Sequence, residues 1–191
     1  MTPHSADEHP GAILLPYENV WPRIAADVFV APGAAVVGNV EIAAGASIWF
    51  NVSIRGDVAP IRIGAGSSVQ DNVVLHCDDG LPCVIGRHVT IGHSAIVHGA
   101  TIEDGATIGM GAIVLSGARV CADAVVAAGA VVPEGTSVPA GTLVMGVPAR
   151  ERGPLAPELL ERLAKIPERY ATRGQAYAAT IRELEAARES T

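Results

Sequence analysis

The sequence predicts a mainly β protein, a solenoid of stacked parallel strands with C-terminal α-helical structure packed along it. Three observations lead to this fold class. Ile or Val recurs every six residues, and Gly, Asn or Asp follows most of them three positions later. After Gly153 the composition changes to Ala, Leu, Glu and Arg at helical spacing. A period of six is neither the alternation of an ordinary strand nor the period of an amphipathic helix.

Each six-residue repeat is interpreted as a short extended segment followed by a corner. Fourteen positions at this spacing are all Ile or Val, from Val30 to Ile54 and from Ile96 to Val144. Gly, Asn and Asp tolerate the left-handed backbone conformation that a tight corner needs. Three repeats close a triangular coil, and stacked coils pile the aliphatic side chains into one core. Residues 24–148 therefore predict about seven coils, each rising about 4.8 Å.

Two interruptions of the spacing predict small loops that leave the coil. Residues 57–61 delay the next inward positions by three, and residues 76–84 delay the following ones by four. The shifted inward positions are Ile63, Val69 and Leu75, then Ile85, Ile91 and Val97. The predicted organisation is a flexible lead over residues 1–12, a β-helix domain over 13–150 and a helical segment over 151–191, divided into two helices at Pro167.

Composition and charge argue against several classes of protein. Hydrophobic residues make up 49% of the chain, which is too many for a disordered protein. The net charge of −7 disfavours binding to nucleic acid or to an anionic membrane. There is no apolar run near the length of a transmembrane helix and no signal peptide. Three scattered cysteines favour reduced thiols over a disulfide framework, so we expect a cytoplasmic protein.

Two histidines fall in one column when the repeats are stacked. His76 follows the inward Leu75 by one residue, and His98 follows the inward Val97 by one. The two imidazoles therefore lie on the same face, one coil or about 5 Å apart. Arg55 occupies the same column one coil below His76. Two imidazoles at this spacing can share a metal ion.

A third histidine, His93, falls on an adjacent face, above Asp71 and beside Gln70. Within its own chain it would have to reach around a corner to meet His76 and His98, whereas a three-fold interface brings it to that column of a neighbour. We therefore expect a metal site between subunits. Three histidine ligands leave one coordination position open, as in catalytic zinc sites. The other histidines are expected to be solvated: His4, His9 and His88.

Several motifs resemble the signature of γ-class carbonic anhydrases and their bacterial relatives, from about Ile13 to Tyr177. The matching segments are Arg55-Gly56-Asp57, Gln70-Asp71-Asn72, His76, Ile91-Gly92-His93-Ser94, His98-Gly99, Ile108-Gly109-Met110-Gly111 and Gly146-Val147-Pro148-Ala149-Arg150. The resemblance implies a left-handed β-helix of the hexapeptide-repeat superfamily and a homotrimer with metal sites at its interfaces. It also implies reversible hydration of CO2 to bicarbonate.

The resemblance implies a role for each site residue. His76, His93 and His98 would bind Zn²⁺, with Fe²⁺ or Co²⁺ as alternatives because imidazole suits all three. Gln70 would hold the metal-bound hydroxide, and Asp71 would be a hydrogen-bond partner behind the ligands. Arg55 and Asp57 would form an ion pair that orders the interface. Tyr170 either reaches the site from the C-terminal helix or only packs that helix.

Other functions stay open at this point. Val58 stands where the archetype of the family carries an acid used in proton transfer, and the loop after His76 offers only Asp78 and Asp79 instead. Many hexapeptide solenoids are acyltransferases, so acyl transfer or thioester hydrolysis on CoA thioesters is one alternative. A non-catalytic metal-binding scaffold is the other.

Overall fold

The computed structural model describes residues 9–189, which form a three-faced parallel β-solenoid followed by two helices. Most of its twenty strands in this part of the chain contain only two or three residues. In chain order they are β1 (Ile13–Leu15), β2 (Arg23–Ile24), β3 (Phe29–Val30), β4 (Ala35–Ile42), β5 (Ser47–Ile48), β6 (Ser53–Ile63), β7 (Ser68–Val69), β8 (Val74–His76), β9 (Cys83–Ile85), β10 (Thr90–Ile91), β11 (Ile96–His98), β12 (Thr101–Ile102), β13 (Thr107–Ile108), β14 (Ile113–Val114), β15 (Arg119–Val120), β16 (Val125–Val126), β17 (Val131–Val132), β18 (Ser137–Val138), β19 (Thr142–Met145) and β20 (Arg150–Pro154). The helices are α1 (Pro157–Ala164) and α2 (Ile166–Glu189).

The three faces are formed by strands that recur once per coil. The first face stacks β1, β8, β11, β14 and β17, and the second stacks β2, β9, β12, β15 and β18. Strands β4 and β6 run through the corner between these faces and pair with strands of each. The first and second faces therefore belong to one 12-stranded sheet. The third face is an 8-stranded sheet from β3 to β20, closed by the antiparallel pair β19–β20. The predicted parallel solenoid with a helix along its side is confirmed.

The core is the column of aliphatic residues that the six-residue spacing predicts. The inward positions at Ile54, Leu75, Val97 and Ile108 are fully buried, and an alanine two residues earlier often fills the space beside them. Ile96 points outward and Val97 inward, as the shifted spacing requires. Burial of one such side chain contributes about 1.5–3 kcal/mol, so the repeat supplies the main stabilisation of the fold.

Two predicted corners are wrong, because the chain stays extended there. Asn39 and Asp57 lie inside β4 and β6, and the left-handed residue near the first is Gly38 instead. The predicted insertion is present as a bulge within β6, where residues 57–60 lie opposite Asn39 alone between the pairs Gly38–Gly56 and Val40–Ile61. These residues are absorbed by a shift in register between β4 and β6, which keeps the backbone hydrogen-bonded on both sides of the insertion.

The chain termini differ in part from the prediction. Helix α1 ends at Ala164 and α2 begins at Ile166, so the break comes before Pro167, which is tolerated in a first helical turn. The predicted flexible lead over 1–12 lies mostly outside the described residues, as does His4. His9 lies within them and is buried, not solvated. His88 is exposed at a left-handed corner, as expected.

The helices and the cysteines were also covered by predictions from the sequence. Across the described residues, neither helix combines the length and the apolar character needed to cross a membrane. All three cysteines are free thiols. Burial raises the pKa of Cys83 to about 12, and the neighbouring Cys77 adds to the effect, so Cys83 is unreactive at neutral pH.

Candidate metal centre

His76 and His98 meet on the first face of the solenoid. Strands β8 and β11 pair in parallel with His98 directly opposite His76, and Arg55 of β6 is opposite His76 on the other side. The column predicted from the sequence is therefore confirmed. The Nδ1 atom of His76 lies 3.0 Å from the Nε2 atom of His98. Both rings are partly buried.

Asp57 determines which nitrogen of His76 carries the proton. Its Oδ1 atom lies 3.0 Å from His76 Nε2, and a carboxylate can only accept, so Nε2 donates and Nδ1 keeps its lone pair. The other carboxylate oxygen pairs with the Arg55 guanidinium. Burial by itself raises the pKa of Asp57, but the hydrogen bonds from His76 and Arg55 outweigh it and lower that pKa below its usual value. Asp57 is therefore ionised near neutral pH.

His98 is oriented through a hydroxyl group. Its Nδ1 atom is 2.9 Å from Ser116 Oγ, and Ser116 donates to Asp78 Oδ2 at 3.3 Å. Because the Ser116 proton points to a carboxylate, the Ser116 oxygen accepts from His98 Nδ1–H. The lone pair of His98 is then on Nε2, the atom that faces His76 Nδ1.

This arrangement fits a cation. Two lone pairs 3.0 Å apart repel each other unless a proton or a metal ion lies between them. Two nitrogen ligands at 2.0–2.1 Å from a tetrahedral zinc ion are about 3.3 Å apart, close to the observed separation. The donor set, two neutral imidazoles oriented by carboxylates, is typical of protein metal sites.

His93 lies at the corner after β10, between the third and first faces. Its Nδ1 atom donates to Asp71 Oδ2 at 2.8 Å, and its backbone N–H donates to Gln70 Oε1 at 3.2 Å. This leaves the lone pair on Nε2, which accepts the Tyr170 hydroxyl at 3.1 Å. The side chain is 39% exposed, so it is accessible from outside the chain.

Within one chain, His93 does not join the other two histidines. The described part of the chain contains a single group of three potential metal ligands, formed by Asp57, His76 and Cys77 within 4.8 Å. Cys77 adds no accessible ligand, because its thiol is buried and contacts the backbone N and O atoms of Ala59 at 3.1 and 3.0 Å. Two of the three predicted ligands are therefore together and the third lies on another face.

Tyr170 both packs and reaches the site. Its ring makes an edge contact with Trp49, with ring centres 5.0 Å apart, and its hydroxyl reaches His93. Burial raises the pKa of Tyr170, and the charge of Asp71 raises it further, so the phenol stays protonated. The two alternatives considered for Tyr170 thus hold together. Helix α2 positions it through a cluster that also includes Phe29 and Phe50.

Ser116 is a site residue that was not predicted from the sequence. Leu115 continues the histidine column one coil above His98, because β11 and β14 are in register, and Ser116 is the next residue. Extending the column by one coil would have brought attention to it. Asp78 was predicted only as a candidate for proton transfer, whereas its carboxylate accepts a hydrogen bond from Ser116.

Comparison with known proteins shows similarity to carbonic anhydrases over part of the chain and to hexapeptide-repeat proteins over most of it. No family model matches. The chain is 44% identical over 75 residues to gamma carbonic anhydrase 2, mitochondrial, of Arabidopsis thaliana. The aligned residues make up 36% of this chain and 27% of that protein. It is also 44% identical over 78 residues to a carbonic anhydrase of Geobacillus kaustophilus, covering 41% and 43%. The chain thus spans less than half the length of these curated relatives.

Two solved structures match over nearly their whole length. A putative acetyltransferase of Bacillus cereus has a TM-score of 0.87 and 37% identity, covering 89% of this chain and 99% of that one. A hexapeptide transferase family protein of Anaplasma phagocytophilum has a TM-score of 0.84 and 38% identity, covering 86% and 98%. The left-handed winding expected from the family resemblance is consistent with these hexapeptide-repeat neighbours.

Proposed function

This chain belongs to the hexapeptide-repeat family, and we propose that it is a metal-dependent carbonic anhydrase of the γ type, active as a homotrimer. It would interconvert CO2 and bicarbonate. The observation that carries this proposal is that His76 and His93 bond directly to carboxylates and His98 reaches one through Ser116, which leaves one lone pair on each ring. Three such nitrogens form the ligand set of a catalytic metal site with an open position.

The metal would be held by residues of two chains, His76 and His98 from one and His93 from its neighbour. Zn²⁺ fits three neutral imidazoles, and Fe²⁺ and Co²⁺ fit them too. When bound, such a cation supplies the Lewis acidity that brings the pKa of water to about 7. His93 becomes available to a neighbour when its Nε2 atom gives up the Tyr170 hydroxyl.

The trimer is supported by an apolar column on the first face. Residues that precede the inward positions point outward and are mostly apolar, including Ile13, Val74, Ile96, Ile113 and Val131. Ile13 is 49% exposed and Val74 is 38% exposed, and exposed apolar stripes of this kind mark protein interfaces. The column runs beside the histidines, so a second copy covering it would also reach the site.

A ring fits better than a two-fold dimer. The histidine pair lies on the first face, and His93 lies at the corner toward the third face. Contact between two different surfaces of the same chain is heterologous, and it closes into a ring when the rotation per subunit allows.

Other side chains would bind and orient the reactants. Gln70 is 5% exposed, and its Oε1 atom is held by the His93 backbone, which leaves the amide NH2 group to donate to a substrate oxygen. Arg55 is half exposed and carries the positive charge that would attract bicarbonate. Asp57 holds that guanidinium in place. The protonated Tyr170 hydroxyl, once released from His93, can donate to a substrate oxygen.

CO2 hydration measured by stopped-flow on metal-loaded protein tests the proposal. We expect hydration that disappears in His93→Ala and is retained in the matched control His88→Ala, which changes an exposed corner histidine outside the site. Protein that holds its metal but hydrates no CO2 anywhere between about pH 6 and 9 would refute the proposed activity.

A second candidate function is acyl transfer or thioester hydrolysis on CoA thioesters. The observation that favours it is the overall match to the Bacillus cereus structure described as a putative acetyltransferase. Acetyl-CoA turnover that persists after metal removal would favour this alternative. A non-catalytic scaffold instead predicts bound metal and trimers without turnover, and no effect of Gln70→Ala.

A further inference from the structure

His98 differs from the other two histidines in how it reaches a carboxylate. His76 and His93 bond directly to Asp57 and Asp71, whereas the bond from His98 passes through Ser116 to Asp78. We propose that Ser116 and Asp78 form a positioning relay that fixes the tautomer of His98 and thereby sets the metal affinity of the site. This proposal rests on the proposed metal site, and it assigns Asp78 a role other than proton transfer.

The relay joins three successive levels of the structure. Asp78 lies in the loop between β8 and β9, which is closed by reciprocal backbone hydrogen bonds between Asp78 and Leu81 at 3.1 and 2.9 Å. Ser116 follows β14, two coils above β8. The backbone N–H of Asp79 also donates to Asp78 Oδ1 at 2.9 Å, which steadies the carboxylate. The short loop after His76 is therefore built to hold Asp78 toward Ser116.

The direction of the hydrogen bonds follows from the chemistry of the end group. A carboxylate only accepts, so the Ser116 hydroxyl donates its one proton to Asp78, and its oxygen accepts a hydrogen bond from His98 Nδ1–H. The His98 lone pair then lies on Nε2, facing His76 Nδ1 at 3.0 Å. Without Asp78, the Ser116 hydroxyl is free to donate to Nδ1, and the ring proton moves to Nε2. That tautomer places a proton where the metal would bind.

Zinc affinity, measured by competition with a chromophoric chelator on the full chain, tests the relay. Ser116→Ala and Asp78→Ala should each weaken binding by about 10- to 100-fold, the usual effect of removing a group that orients a metal ligand. Ser116→Thr keeps the hydroxyl and should bind zinc like the wild type. Asp79→Ala is the matched control, because it removes an adjacent carboxylate and retains the backbone N–H; it too should bind normally.

The second measurement is ¹⁵N NMR of the imidazoles in metal-free protein, which reports the tautomer directly. We expect the Nδ1 atom of His98 to be protonated in the wild type and in Ser116→Thr, also when a second proton lies between His98 Nε2 and His76 Nδ1. In Asp78→Ala we expect Nδ1 to lose its proton, because the Ser116 hydroxyl then donates to it. Unchanged zinc affinity and an unchanged tautomer in Ser116→Ala and Asp78→Ala would overturn the proposal. A wild type that binds no zinc would instead defeat the proposed metal site, while the NMR result would still decide whether the relay exists.

Discussion

Each of the three site histidines has one ring nitrogen directed toward a carboxylate and the other left with its lone pair. This pattern decides the chemistry at the scale of residues, because a metal binds the lone pair and the carboxylate holds the ring. The position of His93 above Asp71 and beside Gln70 follows from the columns of the repeat. The contact of His76 with Asp57 was not predicted, because Asp57 was expected to be a corner residue that pairs with Arg55. The hydrogen bond between His98 and Ser116 could not be predicted in this way, because a serine near a corner does not by itself indicate a metal site.

Tyr170 competes with a metal for His93. Its hydroxyl bonds to the Nε2 atom that a metal would use, and such a hydrogen bond contributes about 0.5–1.5 kcal/mol. Tyr170→Phe keeps the aromatic packing on Trp49 and should therefore bind zinc about two- to tenfold more tightly, as measured by chelator competition. Its CO2 hydration rate should fall, because a substrate donor is lost. Weaker zinc binding would contradict this competition.

Asp104 provides a pH-dependent contribution to stability outside the site. The backbone N–H of Arg87 lowers the pKa of Asp104, and the Arg87 guanidinium lowers it further. A carboxylate whose pKa is lower in the folded state than in the unfolded state stabilises the fold at any pH above the ordinary aspartate pKa near 3.9. This contribution is lost as the pH falls through the lower pKa of the folded state. Asp104→Asn should therefore cost at most about 1 kcal/mol near pH 7, given solvent screening of the exposed pair.

Urea unfolding of Asp104→Asn and wild type, at about pH 7 and about pH 3, measures this effect. The difference in free energy of unfolding should shrink at the lower pH. A difference that stays constant would show that the carboxylate charge contributes nothing.

At the scale of elements, the direction of each side chain follows from its place in the six-residue repeat. This is why the core and the His76–His98 column could be predicted from the sequence. The conformation at Asp57 could not, because the repeat alone suggests a turn there, whereas Asp57 begins the unpaired insertion of β6 between the pairs Gly38–Gly56 and Val40–Ile61. The break between the two helices was predicted at Pro167 but lies just before it, because α2 begins at Ile166. The sequence could not decide this, since proline is compatible both with the end of one helix and with the first turn of the next.

Gly174 shows how helix α2 is positioned. A Cβ atom at this residue would lie 2.9 Å from the Cβ and Cδ1 atoms of Phe29, so glycine allows α2 to approach the third face closely. Gly174→Ala should destabilise the protein by about 1–3 kcal/mol despite the higher helix propensity of alanine, because the contact is overpacked. Thermal unfolding measures the change. The control Ala179→Gly, at an exposed position of α2, should cost only about 1 kcal/mol.

Stabilisation by Gly174→Ala would contradict the close approach of α2 to Phe29. Because α2 also carries Tyr170, the same variant should weaken the Tyr170–His93 hydrogen bond.

At the scale of the whole molecule, a single chain keeps His93 apart from His76 and His98 and leaves an apolar column exposed on its first face. Val74 is in that column, next to the histidines. Val74→Asp places a charge in the proposed interface, where an unpaired carboxylate is costly to bury. Light scattering after size exclusion should therefore report dissociation to monomers. The control Ser137→Asp, on the second face, should remain a trimer, and a Val74→Asp trimer would place the interface elsewhere.

Mixing two inactive variants tests the shared site most directly. His76→Ala and His93→Ala each lack one ligand, but a mixed three-fold ring contains one interface at which all three histidines are intact. After random reassembly, about a quarter of the wild-type metal content per chain should return, together with hydration activity. A mixture that stays as empty and inactive as its two components would contradict a metal site built from neighbouring chains.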